Sequence, residues 1–264
     1  MLIDGRKIAE ESNIETFKLL NKAKLRLAAV LVGDYAESRK FLEYKRIAAG
    51  KLGIDFRLYE FLENITTQKL RKEIVSIAKA SVNNGVIIEL PLPKHINAQY
   101  ILNAVPIEKD PDVLSEKAQG SFFVGRSPIL PPSVETIKQI FSKNIISLLG
   151  KNCAVFGYGI LVGKPVAHWL ASQGATVSII NEFTSNPKQI SINADIIISG
   201  VGKTNLITAD MVKDSTIVID FARDVDFENV SKKASLITPP TGGVGPIVIA
   251  TVLKNLITLK ISTS

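Results

Sequence analysis

The sequence predicts an α/β protein of two domains, and three observations carry that prediction. Apolar β-rich runs alternate with helix-period stretches over most of the chain, and a glycine-rich turn directly follows one such run. The third is size: 264 residues suffice for two modest domains, and 46% hydrophobic residues can fill their cores.

In chain order, "LRLAAVLVG" (25–33) reads as a buried strand and residues 36–52 as the helix after it. "DFRLYEF" (55–61) is the next strand. "TTQKLRKEIVSIAKASVN" (66–83) is helical, with an apolar stripe at Leu70, Ile74, Ile77 and Ala78. "GVIIEL" (85–90) is a strand ended by "PLP", because proline cannot continue a ladder. A second series starts at "PPSVETIKQIF" (131–141). "KNCAVFGYGILVGKPVAHWLASQGATVSIINEF" (151–183) is strand, turn, helix, strand, and "ADIIISG" (194–200) and "STIVID" (215–220) add two buried strands. "PPTGGVGP" (239–246) is a tight loop, followed by an apolar terminal helix over 247–260. Parallel βαβ units follow from the alternation. With no internal repeat and no low-complexity linker, the domains are expected to share connecting helices.

Composition narrows the chemistry. A single cysteine, Cys153, excludes an internal disulfide and a cysteine zinc site. His95 and His168 are the only histidines, so no histidine metal cluster is expected and proton transfer falls to Lys, Tyr, Asp or Glu. The apolar runs look too short and interrupted to span a bilayer, and the charged start "MLIDGRKIAEE" has no signal core, so a cytoplasmic protein is expected. A formal net charge of +7 favours anionic partners such as a nucleotide or a glutamate-tailed substrate. Nucleic acid is disfavoured, since no dense basic block is interleaved with aromatics.

Two stretches carry candidate sites. Gly157, Gly159 and Gly163 form G-x-G-x-x-x-G between a strand and a helix. There the backbone can approach a pyrophosphate and the helix N-terminus can stabilise it, although a tight βα turn needs glycine too. Glu182 lies 23 residues after Gly159, where an acid binds ribose hydroxyls and repels a 2′-phosphate, or is simply a solvated loop acid. With no positive charge from Tyr158, NAD is favoured over NADP. In "SRKFLEYKR" (38–46), Ser38, Phe41 and Lys45 share one helix face, which is either a solvated edge or the floor of a site.

"SRKFLEYKR", "IIELPLPKHI…PIEKDPD" and "GYGILVGKP…ITPPTGGVGP", in that order, resemble the bifunctional methylenetetrahydrofolate dehydrogenase/methenyltetrahydrofolate cyclohydrolase family over nearly the whole chain. The resemblance implies an N-terminal α/β domain and a Rossmann-like dinucleotide-binding domain flanking a cleft. The folate-binding catalytic domain would be residues 1–132 plus 245–264, and the NAD(P)-binding domain 133–244. It implies a tetrahydrofolate-type one-carbon substrate, NAD or NADP, no metal and a homodimer. Lys45 matches the catalytic lysine and Asp112 the aspartate that anchors the pterin. Leu90, Pro91, Leu92 and Pro93, with Gly242, Gly243 and Pro246, match loops around the folate, alongside Ser38 and Phe41. Gly157, Tyr158, Gly159, Ile160, Val162, Gly163, Lys164, Pro165 and Glu182 match the dinucleotide site.

Several positions depart from the family. Phe41 replaces a tyrosine and so lacks a hydroxyl for Lys45 or water. Glu89 replaces a glutamine, and a carboxylate there favours the charged ammonium, opposing its use as a base. Pro132, Ser133 and Val134 replace the usual "CTP". Tyr158 and Glu182 replace an arginine and a serine near the NADP 2′-phosphate, Gly159 a serine and Thr241 a proline. The segment after "VIDFARDVDF" is short. The expectation is hydride transfer from methylenetetrahydrofolate to NAD(P), with methenyl hydrolysis weakened. A fully bifunctional NADP enzyme and a non-catalytic nucleotide- or pterin-binding paralogue are the alternatives.

Overall fold

The structure, a computed structural model, describes residues 1–20 and 24–262. Residues 21–23 and 263–264, which fall within the domain boundaries expected above, lie outside the described residues. The chain divides into two compact units: Glu11–Pro132 with Ile249–Ser264, and Met1–Glu10 with Ser133–Val248.

In chain order the elements are α1 (Gly5–Leu20), β1 (Arg26–Val32), α2 (Ala36–Lys51), β2 (Asp55–Phe61), α3 (Thr67–Lys79), β3 (Gly85–Ile88), α4 (Ala98–Leu102), α5 (Glu116–Phe123) and α6 (Pro132–Lys143). They continue as β4 (Asn152–Phe156), α7 (Gly163–Ser172), β5 (Thr176–Ile180), α8 (Pro187–Ser191), β6 (Ile196–Ser199), β7 (Ile217–Asp220), α9 (Phe227–Val230), β8 (Leu236–Ile237) and α10 (Val244–Ser262).

The first unit holds a parallel sheet in the order β2-β1-β3. β1 is central and buried on both faces, which is why it reads as a continuous apolar run rather than an alternating one. Leu27, Leu31 and Ile87 pack with Leu42 and Ala49 of α2 and with Ile249, Leu253 and Leu256 of α10. Gly85 admits that helix: a Cβ there would stand 2.5 Å from Leu256 Cδ1. The α3 stripe at Leu70, Ile74, Ile77 and Ala78 is buried, each large side chain contributing about 2 kcal/mol. Thr66 caps α3 by accepting from the Lys69 N–H. The helix stops at Lys79, short of the expected Asn83, because the Asn83 side chain takes the Ile77 carbonyl at 2.9 Å and turns the chain. β3 likewise ends at Ile88, two residues early.

The second unit has five parallel strands in the order β5-β4-β6-β7-β8. Phe156, Ile197, Val218 and Ile237 anchor its core. By their contacts, residues 1–10 cluster with this unit. A parallel bridge joins Leu2 to Ile237, and the Ile3 N–H donates to the Ile237 carbonyl at 3.0 Å.

α10 begins at Val244, so the predicted loop over 239–246 runs into its first turn, and the unit boundary falls after Val248 rather than at 245. Contrary to the sequence reading, α10 is long and apolar enough by composition to cross a membrane. Its apolarity has another physical account: most of its strongly apolar stretch is buried within the protein, as in a core helix.

Candidate functional site

Within the first unit, α2 buries Ser38, Leu42, Lys45 and Ala49 on one face, so Lys45 points inward. Its Nζ lies 2.8 Å from Oε2 of Glu89 and 4.7 Å from the centre of the Phe41 ring. Lys45 is only 6% exposed and Glu89 9%. Register positions the carboxylate: the Glu89 N–H donates to the Val30 carbonyl at 2.9 Å, just beyond the β1–β3 ladder. Leu90 follows, and the peptide bond to Pro91 is cis. Leu92 is half-buried and Pro93 buried.

Asp112 is partly open, and no hydrogen bond to its carboxylate is found among the described residues. Burial pushes this acid up to about 6. The Lys45 ammonium pulls the other way, while Asp110 and Glu89 add to the rise. This cluster combines a buried ammonium, the carboxylates of Glu89 and Asp112 and an aromatic face. That set can hold a flat, nitrogen-rich ring by its N–H donors and tolerate positive charge on it.

The second unit carries the glycine turn. Gly157, at φ +90°, leaves β4 in a conformation that L side chains rarely adopt, and its N–H donates to the Ile180 carbonyl at 2.8 Å. A Cβ on Gly163 would come within 2.2 Å of the Gly157 carbonyl oxygen, so the start of α7 can close on the turn only with glycine. A Cβ on Gly159, by contrast, would meet no atom within 4 Å. No side chain caps α7 at Val162; the Lys164 N–H donates to the Gly159 carbonyl at 3.0 Å and Pro165 has no N–H, so the Gly163 N–H is the first-turn donor left to an anion. Ser133 braces the turn by donating to the Leu161 carbonyl at 2.6 Å. Tyr158 is exposed, with the Lys164 ammonium 5.5 Å from its ring centre; Ile160 is half-buried and Pro165 buried. Glu182 is exposed just after β5.

Gly242, Gly243 and Pro246 lie in this same unit. The Gly5 N–H donates to the Gly242 carbonyl at 3.0 Å, and a Cβ on Gly5 would overlap the Gly243 carbonyl oxygen. The structure therefore gathers Lys45, Glu89, Phe41 and Asp112 in one unit. In the other it gathers the glycine turn, Glu182 and the 242–246 loop.

Three supporting residues escape the sequence reading. Asp224 is fully buried and accepts from the Ser199 hydroxyl at 2.5 Å and from the Val201, Gly202 and Lys203 N–H groups at 2.7 Å each. It thereby fixes the loop after β6, whose Gly200 would strike Val162 if it bore a side chain. Asp110 and Asn255 hold the chain around Asp112. The only sequence signals for these residues are a second acid in "EKDPD", an acid in "ARDVD" and one amide in an apolar helix.

Comparison with known proteins matches residues 3–112 to the tetrahydrofolate dehydrogenase/cyclohydrolase catalytic domain. Residues 131–263 match that family's NAD(P)-binding domain. The bifunctional protein FolD of Nautilia profundicola is 41% identical, covering 97% of this chain and 95% of the relative. The crystal structure of the FolD methylenetetrahydrofolate dehydrogenase/cyclohydrolase of Campylobacter jejuni superposes with a TM-score of 0.92 at 34% identity, over 99% of both chains. The Trypanosoma brucei FolD enzyme, solved with NADP and an inhibitor, gives a TM-score of 0.93 at 26% identity, over 100% of this chain and 98% of that one. With two family domains covering nearly all of it and a fold shared end to end, this chain belongs to the tetrahydrofolate dehydrogenase/cyclohydrolase family.

Proposed function

We infer that this protein oxidises methylenetetrahydrofolate to methenyltetrahydrofolate with NAD or NADP, and hydrolyses the methenyl product to formyltetrahydrofolate at a reduced rate. Family membership supports both reactions. The observation that supports the slow second step is the buried 2.8 Å contact between Lys45 and Glu89.

In this reading folate occupies the first unit. Asp112 accepts from N–H groups of the pterin, Phe41 stacks on it, and Ser38 and residues 90–93 shape the floor. The dinucleotide occupies the second unit, and the residues there fit it. The glycine turn brings backbone close, the Gly163 N–H at the start of α7 is left for a pyrophosphate, and Glu182 suits ribose hydroxyls better than a 2′-phosphate. The nicotinamide supplies the hydride acceptor for the methylene carbon. Alignment governs that step, and it asks no proton of Lys45.

Hydrolysis makes a different demand. Water adds to the methenyl carbon, loses a proton, and one carbon–nitrogen bond then breaks to leave the formyl group. Lys45 can take that proton only after releasing its own. Glu89 occupies the Lys45 nitrogen at 2.8 Å in place of a water, and Phe41 offers no hydroxyl to relay a proton. NAD preference, a homodimer and a cytoplasmic setting belong to the same proposal. A spectrophotometric assay of methylenetetrahydrofolate oxidation with each dinucleotide, following methenyl build-up, tests it. Accumulation of methenyltetrahydrofolate with NAD is the expected result; no turnover with either dinucleotide refutes the reading.

A further inference from the structure

The turn that carries Asp112 is held in an uncommon shape. Val113, the next residue, has φ +58° although it is β-branched and 2% exposed. Such a residue in the left-handed region is a genuine outlier, and it persists only where its surroundings impose it. Two buried polar side chains do so from opposite sides. Oδ2 of Asp110 accepts from the Leu114 N–H at 3.0 Å and the Ser115 N–H at 2.7 Å, while the Asp110 carbonyl accepts from the Val113 N–H at 3.2 Å. From α10, Nδ2 of Asn255 donates to the carbonyls of Pro111 and Leu130, both at 2.9 Å. Asp110 is 3% and Asn255 4% exposed. Residues 110, 111, 114 and 115 are thus each tied down, and Asp112 is the residue left to project.

We propose that Asp110 and Asn255 are positioning residues for folate binding, clamping the strained turn at Val113 so that Asp112 is presented to the pterin ring. The clamp explains why an apolar core helix carries a buried amide and why an acid is buried two residues before the ligand-facing one. It rests on the reading of Asp112 as the pterin anchor, and the experiment separates the two.

Full-length wild type, Asp112→Asn, Asp110→Asn, Asn255→Ala, Val113→Gly and the double variant Asp110→Asn/Val113→Gly are assayed for kcat and for both KM values. Asp110→Asn and Asn255→Ala should each raise the methylenetetrahydrofolate KM by about tenfold and change the dinucleotide KM by less than about twofold. Val113→Gly removes the strain at the cost of a buried side chain, and in the double variant it should restore the folate KM to within about threefold of wild type. Equal rises in both KM values, an unchanged folate KM, or a double variant no better than Asp110→Asn would overturn the clamp. If Asn255→Ala does not fold, Asp110→Asn and its double variant decide the matter alone. An unchanged folate KM in Asp112→Asn refutes the anchor itself, whatever the other variants do.

Discussion

The Lys45 ammonium and the Glu89 carboxylate meet at 2.8 Å in a buried pocket with the Phe41 ring beside them. A pair so enclosed is poorly screened, and its contact ties the lysine nitrogen to Glu89 rather than to a substrate water. On the proposed reading, the arrangement opposes base chemistry at Lys45 and leaves hydride transfer untouched.

Replacing both departures should restore the second reaction. In Phe41→Tyr/Glu89→Gln, methenyl hydrolysis should rise by about tenfold or more, within the range that general base catalysis supplies. The dehydrogenase rate should stay within about threefold. Stopped-flow decay of methenyltetrahydrofolate measures the first quantity, and an unchanged decay counts against the role given to Glu89.

Asp112 gives the pH dependence. Its carboxyl is raised to about 6, first by burial. If Asp112 anchors the pterin as proposed, its ionised form accepts from the ring N–H groups more strongly than the protonated acid does, so folate affinity should fall as pH drops through about 6. The stability effect has the opposite direction. The folded state holds a proton on Asp112 that the unfolded chain has already released, so this group costs stability as pH rises from about 4 to about 6. Asp112→Asn should abolish both dependences, which urea unfolding and substrate titration at pH 4 to 8 would show.

Cofactor preference should follow Glu182 and Tyr158. NAD should bind more tightly than NADP, and Tyr158→Arg/Glu182→Ser should shift the ratio toward NADP by about tenfold or more, removing a repulsive charge and adding a bidentate phosphate donor. A fluorescence titration in which wild type prefers NADP would reject this assignment.

Asp224→Asn puts an amide donor against a group of donors already pointing inward. Leaving two of those groups unsatisfied should cost about 2–3 kcal/mol. For a chain of this size that lowers the melting temperature by about 5 °C. Dinucleotide affinity should fall with it, while folate binding to the other unit is unaffected. Calorimetry and paired titrations check both parts.

Local pattern made much of this legible. The apolar run at 26–32, the stripe at Leu70, Ile74 and Ile77 and the spacing of Gly157 and Gly163 each state their own structure, because burial and backbone approach act within a few residues. α1 was hidden because its buried positions include Ser12 and Thr16, which break the apolar period. Pairing of Leu2 with Ile237 could not be read, since neither residue's surroundings announce a partner 235 positions away. The Asp110 and Asn255 contacts are hidden for the same reason: a side chain that serves a distant carbonyl or N–H leaves no periodic trace. Lys45 and Glu89 were each legible as residues, but only the fold shows that they touch.

The bridge at Ile237 bears on how the chain is made. Each unit is assembled from segments that leave the ribosome far apart: residues 1–10 wait for 133–248, and 11–132 wait for 249–264. Neither can reach its final form until its distant segment has been made, and the core around β1 stays short of Leu253 and Leu256 until α10 emerges. Completion of the core around β1 thus waits on a helix more than a hundred residues downstream.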